Sequence, residues 1–248
     1  VIKNTYTRLL WPLLMLFLLT GCLFPDSELS KNKQPNESQL KEVQSAVDQY
    51  HEQTQGLLPI RTKSSDTPVF QKYLVDFQLL KEQNLMTEIP GTAYQNGGIY
   101  QYTIITPEDD PRVKLIDLRV SDAIREVAVK LNAYRNEHIY PPFGKEIADG
   151  IFQIDHEKLG LESPPYVESP YSKENLPIIM DTEGNLYVDY RIDLTRALDE
   201  YEHDFDEGDD IRYLLAESTP FVPAYSLPYT VRDGEPVFDS SSESNKSS

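Results

Sequence analysis

Cysteine is almost missing: the 248-residue chain has one, Cys22. A lone cysteine makes no internal disulfide and no paired-cysteine metal or redox motif, so stability has to come from packed apolar cores. Basic charge is scarce too. There are 23 Lys and Arg against 41 Asp and Glu, a net −18 at pH 7, which disfavours nucleic acid and anionic membrane surfaces as partners. Beyond residue 19 there is no long apolar run, so no membrane-length segment is expected there. His-Glu-x-x-His, Gly-x-Ser-x-Gly and paired cysteines are all lacking. The four histidines, His51, His138, His156 and His203, read as solvent-exposed. A hydrolytic triad assembles only in space and stays open at this point, but no residue nominates one. The sequence therefore suggests no catalytic residue, no resident metal and no cofactor, and a chain that is not an enzyme.

What is present begins at the N-terminus. Lys3 and Arg8 precede an apolar run over residues 9–19, about eleven residues and within the usual range for a secretory leader. A spanning helix needs about 20 apolar residues. The run ends in Leu19-Thr20-Gly21-Cys22, a lipobox: an apolar residue, a small residue, Gly and Cys. This resembles the bacterial lipoprotein signal, which implies a diacylglyceryl group with palmitate-type chains on Cys22 and cleavage before it. The implied place is the extracytoplasmic face of the cell membrane, held by lipid. Two chains anchor stably where one anchors marginally. An ordinary signal peptide or N-terminal anchor with an incidental Cys is the alternative. Residue 1 is Val, as a non-AUG start read literally would give.

Residues 22–35 read as the lipidated Cys and a polar tether. The negative charge is concentrated at the other end. From Asp199 onward there are 13 acidic and three basic residues, followed by a Ser-rich end. A partly disordered tail is expected there. Within it, Asp204, Asp206, Asp209 and Asp210 invite a calcium reading. Gly208 falls one place early for an EF-hand loop and the twelfth position is Leu215, so a solvated acidic linker is the expectation.

The chain also repeats itself. Leu40, Val43, Val47 and Tyr50 are spaced 3, 4 and 3, and Ile124, Val127, Leu131 and Tyr134 repeat that spacing 84 positions later. Each set is the apolar stripe of an amphipathic helix. Asn36 with Gln39 is placed to cap the first helix and Gly56 to end it; Ser121 or Asp122 can cap the second. Leu58-Pro59 is answered by Tyr140-Pro141, and Val75-Asp76-Phe77 by Ile154-Asp155-His156. Leu115-Ile116-Asp117-Leu118-Arg119-Val120 is answered by Tyr187-Val188-Asp189-Tyr190-Arg191-Ile192. Read as strands, these close hairpins with one buried face. The fold expected is α+β: two tandem modules, residues 36–120 and 121–193, each an amphipathic helix on a small antiparallel sheet. They follow a lipoprotein signal peptide over residues 1–21. Leu194, Leu198 and Tyr201 begin a third helix, read with residues 194–248 as a capping helix and acidic tail. Chance likeness of two generic patterns is the alternative to duplication.

Val43, Val47, Tyr50, Leu58-Pro59, Ile89-Pro90 and Tyr100-Gln101-Tyr102 resemble the soluble heads of type IV pilins and pseudopilins. The leader lacks a prepilin site, so only topology is implied. Over more of its length, through residues 43–50, 57–59, 94–102, 114–119 and 187–194, the chain resembles a family of uncharacterised lipoproteins from Bacillus and its relatives. Such proteins are sometimes labelled binding proteins of ABC transporters.

Asp117/Arg119 and Asp189/Arg191 are two apart, which on a strand puts them on one face. They read as structural ion pairs more readily than as ligand-binding pairs. Tyr166, Tyr171, Tyr187 and Tyr190, among Pro164, Pro165 and Pro170, are the candidate interaction surface, because Tyr joins an apolar body to a polar tip. The function expected is a membrane-anchored, extracytoplasmic binding module for an envelope protein or peptide. A solute-binding lipoprotein of a transporter is the alternative.

Overall fold

The first stripe becomes α1 (Glu37–Gln53), with Val43, Ala46, Val47 and Tyr50 buried, in a computed structural model that describes residues 37–61 and 63–239. The lipobox, Cys22, the tether and the Asn36 cap lie outside the described residues. α1 ends as expected. Gly56 takes a positive φ of 106°, and its N–H donates to the His51 carbonyl at 2.9 Å, a turn that favours glycine.

A four-stranded antiparallel sheet follows: β1 (Ile60–Arg61), β2 (Leu74–Val75), β3 (Tyr100–Ile105) and β4 (Arg112–Asp117), in that spatial order. Between β1 and β2 lies α2 (Val69–Lys72). Between β2 and β3 lies α3 (Phe77–Glu82), whose N-terminus Asp76 caps by accepting the Gln78 and Leu79 N–H groups. The Gln44 side chain fixes α1 to the β3–β4 hairpin, donating to the Pro111 carbonyl at 2.9 Å and accepting the Val113 N–H at 2.7 Å.

The second stripe becomes α4 (Leu118–Glu137), burying Val120, Ile124, Val127 and Leu131. Then come β5 (Phe143–Ala148), β6 (Ile151–Ile154), β7 (Tyr166–Glu168), β8 (Asn175–Asp181) and β9 (Leu186–Val188). β5, β6, β8 and β9 pair successively and antiparallel, as β1 to β4 do, while β7 adds to the early part of β8. Asp155 accepts the Lys158 N–H after β6, as Asp76 caps after β2. The architecture is α+β.

The structure corrects the sequence reading in three places. α4 starts at Leu118, not after Ser121 or Asp122, because the Asp117 carboxylate accepts the Arg119 N–H at 3.0 Å. The strand therefore ends at Asp117, and Asp117 and Arg119 do not share a strand face. Asp189 takes the Arg191 N–H in the same way where α5 (Arg191–Glu200) begins.

Secondly, the sheets are covered on both faces. Along β3 and β4, Ile104 and Leu115 face the α1 core, whereas Ile105 and Ile116 join Phe70, Ala216 and Val222 in a second cluster. On β8, Ile178 and Met180 face the α4 core, while Ile179 packs with Ile151 and Leu227.

Thirdly, the covering comes from the segment expected as an acidic tail. α6 (Arg212–Ser218) and the hairpin β10 (Tyr229–Arg232) with β11 (Glu235–Phe238) are folded and packed. Ile211, Leu214, Leu215 and Tyr229 enter the second core, and Phe221 enters the first. Residues 219–225 also run along both final strands. Leu115 N–H donates to Pro220 at 2.9 Å and Val222 N–H to Leu115 at 3.0 Å; further on, Val188 N–H donates to Tyr225 at 2.8 Å. One segment thus joins the two modules through backbone hydrogen bonds. The Ser-rich end lies outside the described residues, and among those described no helix is long and apolar enough to cross a membrane.

Candidate functional site

The Asp-x-Arg pairs resolve into a local device used three times. In each, the Asp side chain accepts the backbone N–H two residues on and takes that residue's guanidinium side-on. Arg119 Nε lies 3.0 Å from both Asp117 carboxylate oxygens and Nη2 2.5 Å from Oδ2. For Asp189 and Arg191 the Nε distances are 2.9 and 3.1 Å and the Nη2 distance is 2.6 Å. Asp210 and Arg212 give 2.8, 3.1 and 2.6 Å. The bonded Asp117 and Asp189 carboxylates push the Arg119 and Arg191 guanidinium pKa values up. The third copy was hidden in the acidic run. Its signal is the same Asp-apolar-Arg triplet ahead of the apolar pair Leu214-Leu215.

That capture removes Asp210 from any calcium loop. Asp209 turns inward to accept the Asp206 N–H, and Glu207 is held by Arg232 at 2.7 Å. Among the described residues no group of three or more His, Cys, Asp or Glu is arranged to hold a metal ion. The histidines sit on separate elements. His51 lies in the last turn of α1. His138 stacks on Tyr134 at 3.9 Å. His156 occupies the turn after β6, and His203 is exposed in the loop after α5.

The four tyrosines do not form one surface. Tyr190 is buried, its hydroxyl donating to the Ala224 carbonyl at 3.0 Å, and burial raises its pKa. Tyr187 donates to Asp181 at 3.1 Å. Tyr171 lies at the seam between modules, edge-on to Tyr190 at 6.1 Å and to Phe221 at 6.2 Å. Its buried hydroxyl has no hydrogen-bond partner among the described residues. The adjoining loop is pinned by Asp193, which accepts from Ser169 at 2.8 Å and Ser172 at 2.5 Å. Burial raises the Asp193 pKa against those two hydrogen bonds. Only Tyr166 is exposed, at 52%. Sequence reasoning could not sort them, since a Tyr suits a core and a surface equally.

Tyr166 belongs to a groove. α4 presents Ala123, Glu126, Val127 and Lys130 towards residues 161–166, enclosing about 210 Å³ over Ile178. Further along α4, Tyr134, Glu137 and His138 face Lys158 and Leu159 across a broader, open depression of about 650 Å³. Lys130 borders both. Pro164 and Pro165 stiffen the far wall, because their φ angles are fixed by the ring, and the Pro165 carbonyl is tied to the Ile178 N–H at 3.0 Å. From Ala123 to Glu137 the helix rises about 21 Å at ~1.5 Å per residue. Such a shallow, elongated site with an apolar floor and a charged rim suits a segment of another chain.

No curated protein and no solved structure matches this chain. Residues 36–117, the span from α1 through the Asp117 that ends β4, match the family model of the YphF family N-terminal domain.

Proposed function

We propose that the protein is a membrane-anchored, extracytoplasmic lipoprotein, of the kind found in Bacillus and its relatives, whose folded part is a non-enzymatic binding module of the cell envelope. The observation that carries this reading is Leu19-Thr20-Gly21-Cys22 closing a short apolar run behind Lys3 and Arg8. Lipid on Cys22 would hold the two-module body at the membrane, with the tether between them. The α4 groove is the seat proposed for the partner. Its shape favours this over solute capture: both parts stand open, and the narrower, about 210 Å³, is smaller than the ~300–1,000 Å³ typical of small-molecule pockets. The test is affinity capture of the protein from its native membrane after brief crosslinking, with Cys22→Ala as control. One envelope protein enriched with the wild type and lost with the control supports the reading. Tight binding of a single small solute, without a protein partner, would replace it with the transporter reading.

A further inference from the structure

The groove along α4 leaves most of its acidic charge unpaired among the described residues. Outside it some acidic and basic side chains meet, as Asp122 with Arg125, Glu174 with Arg196 and Glu207 with Arg232, and others, such as Glu202 and Asp204, have no partner among the described residues. In the groove Lys158 is already matched to Asp155 at 2.8 Å. Glu126, Glu137 and Glu162 have no ion-pair or hydrogen-bond partner among the described residues, and Lys130 is the one groove cation left to set against them. The floor is apolar, with Val127 and Ile178 below and Tyr166 at the rim. An apolar floor under an acidic rim is the complement of a cationic amphipathic chain. A second copy of this protein, itself at −18, is repelled, and so is an anionic lipid surface.

We propose, resting on the binding-module reading above, that this groove seats a cationic amphipathic segment of another envelope protein. Its apolar side chains would enter over Val127 and Ile178, and its Lys or Arg side chains would meet Glu126, Glu137 and Glu162. The rigid Pro164-Pro165 wall lowers the ordering entropy that binding must overcome.

The experiment titrates the full chain, purified from its host in a neutral detergent, with two synthetic peptides of identical leucine pattern, one carrying Lys and one Glu. Binding is followed by fluorescence anisotropy near 0.15 M salt, where long-range attraction is screened. Two charge-reversed variants separate groove from generic acidity: Glu126→Lys/Glu162→Lys in the groove, and Glu202→Lys/Asp204→Lys outside it. The expected result is saturable binding of the Lys peptide alone, weakened about tenfold or more by the groove pair and less than about twofold by the outside pair. Equal binding of the Glu peptide, equal loss in both variants, or no binding of the Lys peptide overturns the proposal. Crosslinked membrane partners separate this from the broader reading. Capture that persists with the groove pair reversed overturns the groove assignment and leaves the binding module standing.

Discussion

Lys114 is a buried ammonium on β4, 8% exposed, donating to the Glu217 carbonyl at 3.1 Å and the Thr219 carbonyl at 2.7 Å. It closes the C-terminus of α6 and so ties the covering segment to the first sheet. Burial, with Arg112 nearby, pushes its pKa from 10.5 down to about 8, against a smaller pull from Glu217. A lysine with a folded pKa below its unfolded one holds fewer protons when folded. Between about 8 and 10.5 unfolding takes up a proton, so stability rises with pH. At about 1.4 kcal/mol per pH unit, the full rise is roughly 3 kcal/mol. Burial raises the pKa values of Tyr100, Tyr102, Tyr171, Tyr190 and Tyr229, which works the other way above pH 10. The useful window is therefore pH 7 to 10, and the quantity to read is a difference. Lys114→Met removes the titrating group and leaves two carbonyls without their donor, costing about 1–3 kcal/mol each at any pH. Urea unfolding followed by circular dichroism at pH 7, 8, 9 and 10 would measure both proteins. The gap between wild type and Lys114→Met should shift in favour of wild type by about 2–3 kcal/mol from pH 7 to 10. Parallel pH profiles would refute the burial argument.

Tyr171→Phe should stabilise the fold by about 1–2 kcal/mol, since it deletes a buried hydroxyl without a partner and keeps the ring at the seam; a lowered unfolding midpoint would contradict that. Asp189→Ala should destabilise by about 1–3 kcal/mol, because it removes the acceptor of the Arg191 N–H at the start of α5 and releases the Arg191 guanidinium together; an unchanged urea midpoint would mean the device carries no stability. Asp193 has its folded pKa above the unfolded value, so its ionised form is penalised at neutral pH and stability recovers as pH falls towards 3.8. Asp193→Asn should remove that part of the acid profile, and identical acid profiles for the two proteins would count against it.

The parts of the fold legible in the sequence were those written in apolar periodicity. The stripes of α1 and α4, the hairpins, and the matching order of Pro and Asp marks came through because burial sets a 3.6 or a 2 period. Asp117 and Asp189 were misplaced because alternation runs on through Arg119 and Arg191, and a capping carboxylate outweighs it locally. The C-terminal covering was hidden by composition: Asp and Glu crowd around Ile211, Leu214 and Leu215, and net charge says little about which face of a short helix is apolar. The alternation of the strands, read for one buried face, did not announce that both sheet faces would be buried. Ile105, Ile116 and Ile179, apolar at the outward register, were the available sign. The groove combines residues 123–138 with residues 158–166, a pairing created by packing alone.

The most direct measurement is the mass of the mature N-terminus, taken from protein expressed in its host with an alkyne-tagged fatty acid. The mature chain should begin at Cys22 and carry the label, and Cys22→Ala should carry none. An unlabelled N-terminus, a cut elsewhere, or equal labelling of the Cys22→Ala protein would contradict it.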